Sequence, residues 1–287
     1  RSVVQALHRS ERIDQPLLWR LAGRVTGVAS KIQTGEYLLP LSVSPAQALD
    51  RFSRGEGQVS YKVAFIEGWT LRDVQLALAK APQLKPELSD QPLVSWAQAL
   101  GIESASAEGW FFPDTYAYNR GASDKDVLLR AYARMRRELN QSWESRAPDL
   151  KLATPYEALT LASIVEKETG RASDRTTISQ VFNKRLQLGM KLQTDPTVIY
   201  GIGIDFDGDI TRKHLRTDTP YNSYTRFGLP PTPIALPGKE SIDAALNPAD
   251  GDYLYFVARG DGTSKFSESL SEHNKAVREF QLKGARK

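Results

Sequence analysis

The stretch from Thr154 to Gly170, TPYEALTLASIVEKETG, limits what this chain can fold into more than any other. A threonine cap, a proline in the first turn and an acid at the third position mark a helix start, and the glycine marks its stop. The pattern predicts a helix over Thr154–Thr169. Advancing about 100° per residue with Val165 as reference, Ala158, Leu161 and Ala162 fall within roughly 60° of it and form an apolar stripe. Glu166 lies about 100° away at the rim, and Lys167 points nearly opposite, into water. Glu168 returns to about 60° from the centre, on the apolar side. A carboxylate in that position is costly unless it is protonated, hydrogen-bonded or lining a cleft. Desolvation raises a carboxyl pKa, which is the condition for a general acid at neutral pH. The competing reading is a residue in a fraying last turn that reaches solvent or pairs with Arg171.

The rest of the chain reads as an α+β protein. Helices are predicted over Ser2–Ser10 and Gln15–Val25, and a short strand over Glu36–Leu39 after a Thr34-Gly35 turn. Ser44-Pro45 opens a helix to about Arg54, and Gly55–Ser60 forms a boundary between residues 1–58 and 59–287. Beyond it come a strand at Val59–Ile66, a helix at Leu71–Lys80 and a proline-punctuated connector at Pro82–Pro92. A helix capped by Ser123 and Asp126 runs to about Trp143, and another covers Thr176–Leu188. Gly189–Pro237 reads as loop-rich, followed by a strand at Tyr253–Val257 and a closing helix from Ser269.

Composition removes several functions. The 287 residues contain no cysteine, which excludes disulfides, thiolate catalysis and cysteine-based zinc sites. His8, His214 and His273 show no ligand-like spacing, so no metal or cofactor is expected. A net charge of +4 with scattered Lys and Arg is too weak for a nucleic-acid footprint. The row Arg130, Arg134, Arg137 reads as a solvated helix face. Walker, dinucleotide-glycine and G-x-S-x-G motifs are absent from the sequence.

The segment LASIVEKETG, followed by RLQLGMKLQTDPTVIYG, closely resembles the endolytic murein transglycosylase family, also called MltG or YceG-like. The match includes EGWFFPDTY at Glu108–Tyr116, YNSYT at Tyr221–Thr225 and GLPPTPI at Gly228–Ile234. It continues through NPA at Asn247–Ala249, YLYFVA at Tyr253–Ala258 and EHNK at Glu272–Lys275. The resemblance implies a small LysM-like module over 1–58 and a mainly helical, lysozyme-like catalytic domain over 59–287. It also implies a periplasmic body held in the bacterial inner membrane by one N-terminal helix, which this sequence does not contain. The partners it implies are peptidoglycan glycan strands and synthases of the elongation or division machinery.

The family's catalytic glutamate is the second of the E-K-E-T motif, here Glu168, the residue the helical geometry also selects. The implied reaction is lytic. The acid protonates the oxygen between N-acetylmuramic acid and N-acetylglucosamine, the muramic C6 hydroxyl closes a 1,6-anhydro ring, and nascent glycan elongation ends there. Gln193, Thr194 and Asp195 are candidate sugar contacts, with a helix or turn initiator at Asp195-Pro196-Thr197 as the competing reading. Tyr200, Tyr221, Asn222 and Tyr224 offer aromatic faces and polar tips suited to sugars, or else they anchor loops. Trp110, Phe111 and Tyr116 read as packing residues, and Asn247, His273 and Asn274 carry no chemical assignment. Two alternatives stay open: a hydrolase using Glu168 with Asp195, and a glycan-binding scaffold that does not cut.

Overall fold

The computed structural model of the chain describes residues 2–9, 13–25, 27, 30–32, 35–40 and 42–282; Thr34 of the expected turn and Ser10 of the first helix lie outside them. In chain order the elements are α1 (Ser2–Arg9), α2 (Pro16–Val25), β1 (Glu36–Tyr37), α3 (Pro45–Arg54), β2 (Gln58–Val59), β3 (Tyr61–Ala64), α4 (Leu71–Lys80), α5 (Trp96–Leu100), β4 (Thr115–Tyr118) and α6 (Asp124–Glu144). Then follow α7 (Pro155–Glu168), α8 (Ala172–Gln187), α9 (Asp195–Ile202), α10 (Arg212–Arg216), α11 (Lys239–Leu246), β5 (Tyr255–Ala258), β6 (Ser264–Ser267) and α12 (Leu270–Val277). Helices and short two-stranded pairs make this an α+β chain.

The chain divides into two units. One comprises Arg1–Val63, Ala81–Lys85 and Ala117–Ser123; the other comprises Ala64–Lys80, Pro86–Tyr116 and Asp124–Lys287. In the first, β1 and β2 pair antiparallel, Glu36 opposite Val59, with α3 between them in sequence. α3 carries a full capping box, Ser44 with Gln47, and proline in its first turn. Its buried Ala48, Leu49 and Phe52 pack with Trp19, Ile32 and Tyr37 into a small core.

The second unit is organised around α7, against which α6, α8, α9 and α11 pack. Thr154 caps it, as its sequence demands, accepting from the Glu157 amide. All eight residues from Ala158 to Val165 are buried, so the apolar stripe was too narrow a reading. Thr160 and Ser163 escape the burial penalty by donating back to the Tyr156 and Thr160 carbonyls, at 2.9 and 2.7 Å. Ser163 Oγ also accepts from the Ile234 amide at 2.9 Å, tying the 230s loop to the helix. A helix that can be enclosed on all sides becomes the axis of a core.

Several elements depart from the sequence expectation. The predicted strand at Val59–Ile66 is split at Ser60, and α8 begins four residues earlier than expected, at Ala172. The segment Gly189–Pro237, expected as loop, contains α9 and α10; Asp195-Pro196 does initiate a helix there. α5, β4, α11 and β6 went unread because each is short and is stabilised by what it packs on. β6, with the polar sequence SKFS, is a strand only because β5 pairs with it, Phe256 opposite Phe266.

Candidate active site

Glu168 is the last residue of α7 and opens onto a cleft of about 600 Å³. Thr194, Tyr224, Tyr255 and His273 are among the residues that share this cleft. Glu168 is half-buried as a residue, yet its carboxyl group is enclosed enough that lost hydration pushes its pKa up to about 7. The Thr194 hydroxyl donates to Glu168 Oε1 and opposes the shift; the charge of Asp195 reinforces it. The carbonyl-rich end of α7 also disfavours an anion. Half of such carboxyls carry a proton near neutral pH, the state a general acid needs.

Thr194 is fixed from several sides. Its amide donates to Ser223 Oγ at 3.0 Å, and its carbonyl accepts from Thr197 Oγ1 at 2.7 Å. Gln193 precedes it in the left-handed region, at φ 51°, a conformation that costs a non-glycine residue on the order of 1 kcal/mol. Arg185 of α8 holds that turn: Nη1 donates to the Leu192 carbonyl at 2.8 Å, the Lys191 carbonyl at 3.1 Å and Gln193 Oε1 at 3.3 Å. Its Nε donates to the Leu254 carbonyl at 2.7 Å, and its guanidinium lies 5.1 Å from the Tyr255 ring centre. Arg185 was missed from sequence. Its spacing from Ile178 and Phe182, i+7 and i+3, puts a charge on a core face, the same signal that marked Glu168.

The expected site residues separate into two groups. Gln193, Thr194, Asp195 and Tyr224 line the cleft with Glu168. Tyr224 donates to Asp195 Oδ1 at 2.6 Å, and burial followed by that carboxylate pushes its phenol pKa upward. The other three make contacts outside that lining. Tyr200 donates to Glu108 Oε2 at 3.0 Å, and Tyr221 pairs with Thr232 Oγ1 at 3.0 Å. The two rings meet edge-on at 4.8 Å. Asn222 donates through Nδ2 to the carbonyls of His214, Leu215 and Thr217, and its Oδ1 accepts from the Tyr224 amide. Asn222 therefore shapes the loop that carries Ser223 and Tyr224.

Two further glutamates clarify which carboxyl faces the cleft. Glu166, two residues earlier, accepts from the Gly238 amide at 3.0 Å, at the start of α11. Glu108 is buried and accepts from the Leu71 amide at 2.9 Å; desolvation raises its pKa to about 7. Gly109 beside it adopts φ 79°, and a side chain there would meet Pro233 Cβ at 2.5 Å. Glycine is required on both counts. The neighbours Phe111 and Tyr116 are buried, and Trp110 stacks on Tyr156, so this motif packs the core. Among the described residues, no group of three or more His, Cys, Asp or Glu could hold a metal ion.

Thr194→Val should move the alkaline limb of any activity that depends on Glu168 upward by about one pH unit. It removes a hydrogen bond that favours the carboxylate, worth roughly 1.5 kcal/mol. Rate against pH from 5 to 9 checks this.

A family model described as the YceG-like family matches residues 1–279. The endolytic murein transglycosylase of Bacillus subtilis is 31% identical, over 88% of this chain and 74% of its own length. The protein of that name from Streptococcus pneumoniae is 26% identical over 86% of this chain, which spans about half of its length. Among solved structures, a yceG-like protein of Listeria monocytogenes superposes with a TM-score of 0.61 at 29% identity, covering 95% of this chain and 93% of its own.

Proposed function

Because the chain belongs to the YceG-like family, we propose that it is a peptidoglycan lytic transglycosylase that cuts within glycan strands, with Glu168 as its catalytic residue. The observation that carries this reading is the Glu168 carboxyl, with its pKa raised to about 7, at the end of a buried helix and open to a cleft. Protonated Glu168 donates to the oxygen between N-acetylmuramic acid and N-acetylglucosamine as the C1–O bond breaks. The resulting carboxylate takes the proton of the muramic C6 hydroxyl, whose oxygen bonds to C1. The carboxyl is restored, no water is consumed, and the product ends in a 1,6-anhydro ring. Oxocarbenium character develops at C1, and the nearby Asp195 carboxylate offsets it electrostatically.

Thr194 aims the Glu168 carboxyl, and Gln193, Asp195 and Tyr224 bind sugar hydroxyl and acetamido groups. Tyr200, Tyr221 and Asn222 act by holding the loops. The proximity of Asp195 to Glu168 supports one second reading, a hydrolase with two carboxylates. In the first reading, the amino-terminal unit is LysM-like, a bacterial inner-membrane anchor precedes it, and the body works in the periplasm beside synthases whose nascent strands it ends. Among the described residues no helix is long and apolar enough to cross a membrane.

Digestion of uncrosslinked nascent glycan and of mature sacculi, followed by mass analysis, tests the reaction. Fragments with anhydro-muramic ends are expected, 18 mass units below the hydrolytic product. Reducing ends would establish the hydrolase, and absence of cutting with retained binding would establish a scaffold.

A further inference from the structure

The wall of the cleft formed by β5 and α12 carries groups that the acid-base chemistry does not use. His273 and Asn274, on α12, line the cleft that also contains Glu168. The imidazole of His273 stacks on Tyr255, ring centres 5.2 Å apart and planes 23° from parallel. Tyr255 in turn sits under Arg185, so the stack fixes α12 to the turn that bears Thr194. His273 Nδ1 is sealed from solvent and has no hydrogen-bond partner. A buried N–H without an acceptor is rarer than a buried lone pair without a donor. The ring proton therefore belongs on Nε2, leaving a single N–H to give. Burial and the Arg185 charge lower the pKa of the ring and keep it neutral. Asn274, exposed beside it, supplies an amide that can both donate and accept.

We propose that His273 Nε2 and the Asn274 amide form a sugar subsite, displaced from the scissile bond, that binds the acetamido group of an N-acetylhexosamine unit. An acetamido carbonyl takes the imidazole N–H, and its N–H meets the Asn274 carbonyl oxygen. The inference rests on the glycan-cleaving reading and specifies where the strand lies. Engagement of a sugar away from the cut makes long strands better substrates than short ones and favours cutting within the strand.

The test uses the full chain with uncrosslinked glycan oligomers of defined length. His273→Phe keeps a ring against Tyr255 and removes the donor; His273→Gln restores an N–H near Nε2. For long oligomers His273→Phe should raise KM about tenfold with kcat within twofold. The shortest cleaved oligomer should be unaffected, and His273→Gln should recover to within threefold. Equal losses at every length, a fall in kcat alone, or no change would overturn the subsite. Melting curves establish that each variant is folded, and Asn274→Ala, at an exposed position, gives an independent second variant with the same length-dependent expectation. If the wild type makes no cuts, binding to the Glu168→Gln protein still decides the question. A tenfold weakening by His273→Phe there supports the subsite though the lyase reading has failed. Normal cutting with no effect of His273→Phe sinks the subsite and leaves the lyase standing.

Discussion

Glu168→Gln is expected to lower kcat/KM on uncrosslinked glycan by about 10⁴-fold, the upper range for a positioned acid-base group. The amide keeps the shape and can still accept from Thr194, so glycan binding should stay within threefold of wild type. In the wild type, kcat/KM should fall tenfold per pH unit above about 7, because only the protonated carboxyl starts the reaction. A single alkaline limb fits one residue serving twice. A second limb on the acid side would point to an essential partner base and to hydrolysis. Stability provides a check with the opposite sign. The carboxyl ionises near 4.5 when unfolded and near 7 when folded. Its contribution to stability is thus fully present below 4.5 and is lost as pH rises through 7. Glu168→Gln lacks that loss and should gain up to about 3 kcal/mol relative to wild type at pH 8. A variant that is inactive because it is unfolded would show the reverse in a thermal melt.

Arg185→Met carries the second large effect. Arg185 is 7% exposed, and its donors satisfy the carbonyls of Leu192, Lys191 and Leu254. Methionine fills much of the volume and leaves those acceptors without a donor. At about 1–3 kcal/mol for each group left unpaired, partly relieved by water at the cleft edge, the loss should be roughly 3–5 kcal/mol. A Tm lower by about 10 °C is the expected reading. Activity measured well below that Tm should still fall about 100-fold, because the turn at Gln193 no longer holds Thr194 against Glu168. Arg185→Lys retains the charge but not the fork that reaches several carbonyls, and it should recover only part of either loss. A drop in Tm without a loss of rate would show that Arg185 supports the fold alone.

What could be read from sequence followed the range of the interactions involved. The start of α7 is set by Thr154, Pro155 and Glu157, all local, and was legible; its end comes at Glu168, one residue before the expected Thr169, which is extended, and Gly170 makes no left-handed cap. Glu168 was legible because helical arithmetic put a charge among core positions. Arg185 satisfied the same arithmetic, but its partners include Leu254, far along the chain, and no local pattern announces them. Tyr200 and Tyr221 looked like sugar contacts by residue type. Which way each ring points was decided by Glu108 and Thr232, supplied from other segments of the chain. The stripe on α7 was drawn too narrow because one apolar face was assumed: Leu159 and Ile164 are buried off that face, and Thr160 and Ser163, polar in a periodicity, each give their hydrogen to a carbonyl in their own helix. β6 and α11 had too little periodicity to stand out and exist through what they pack on.

The enclosure of α7 has a consequence for motion. Amides buried on every side exchange with solvent only when the surrounding unit opens as a whole, so those of Ala158–Val165 are expected to exchange among the slowest of the described residues. Many active-site groups ride on loops that open cheaply and often. In the proposed reaction the proton donor, Glu168, is instead anchored three residues beyond this buried segment of α7. If a glycan strand is the substrate, it meets a carboxyl whose place is as durable as the fold, and fitting the one to the other falls to the strand.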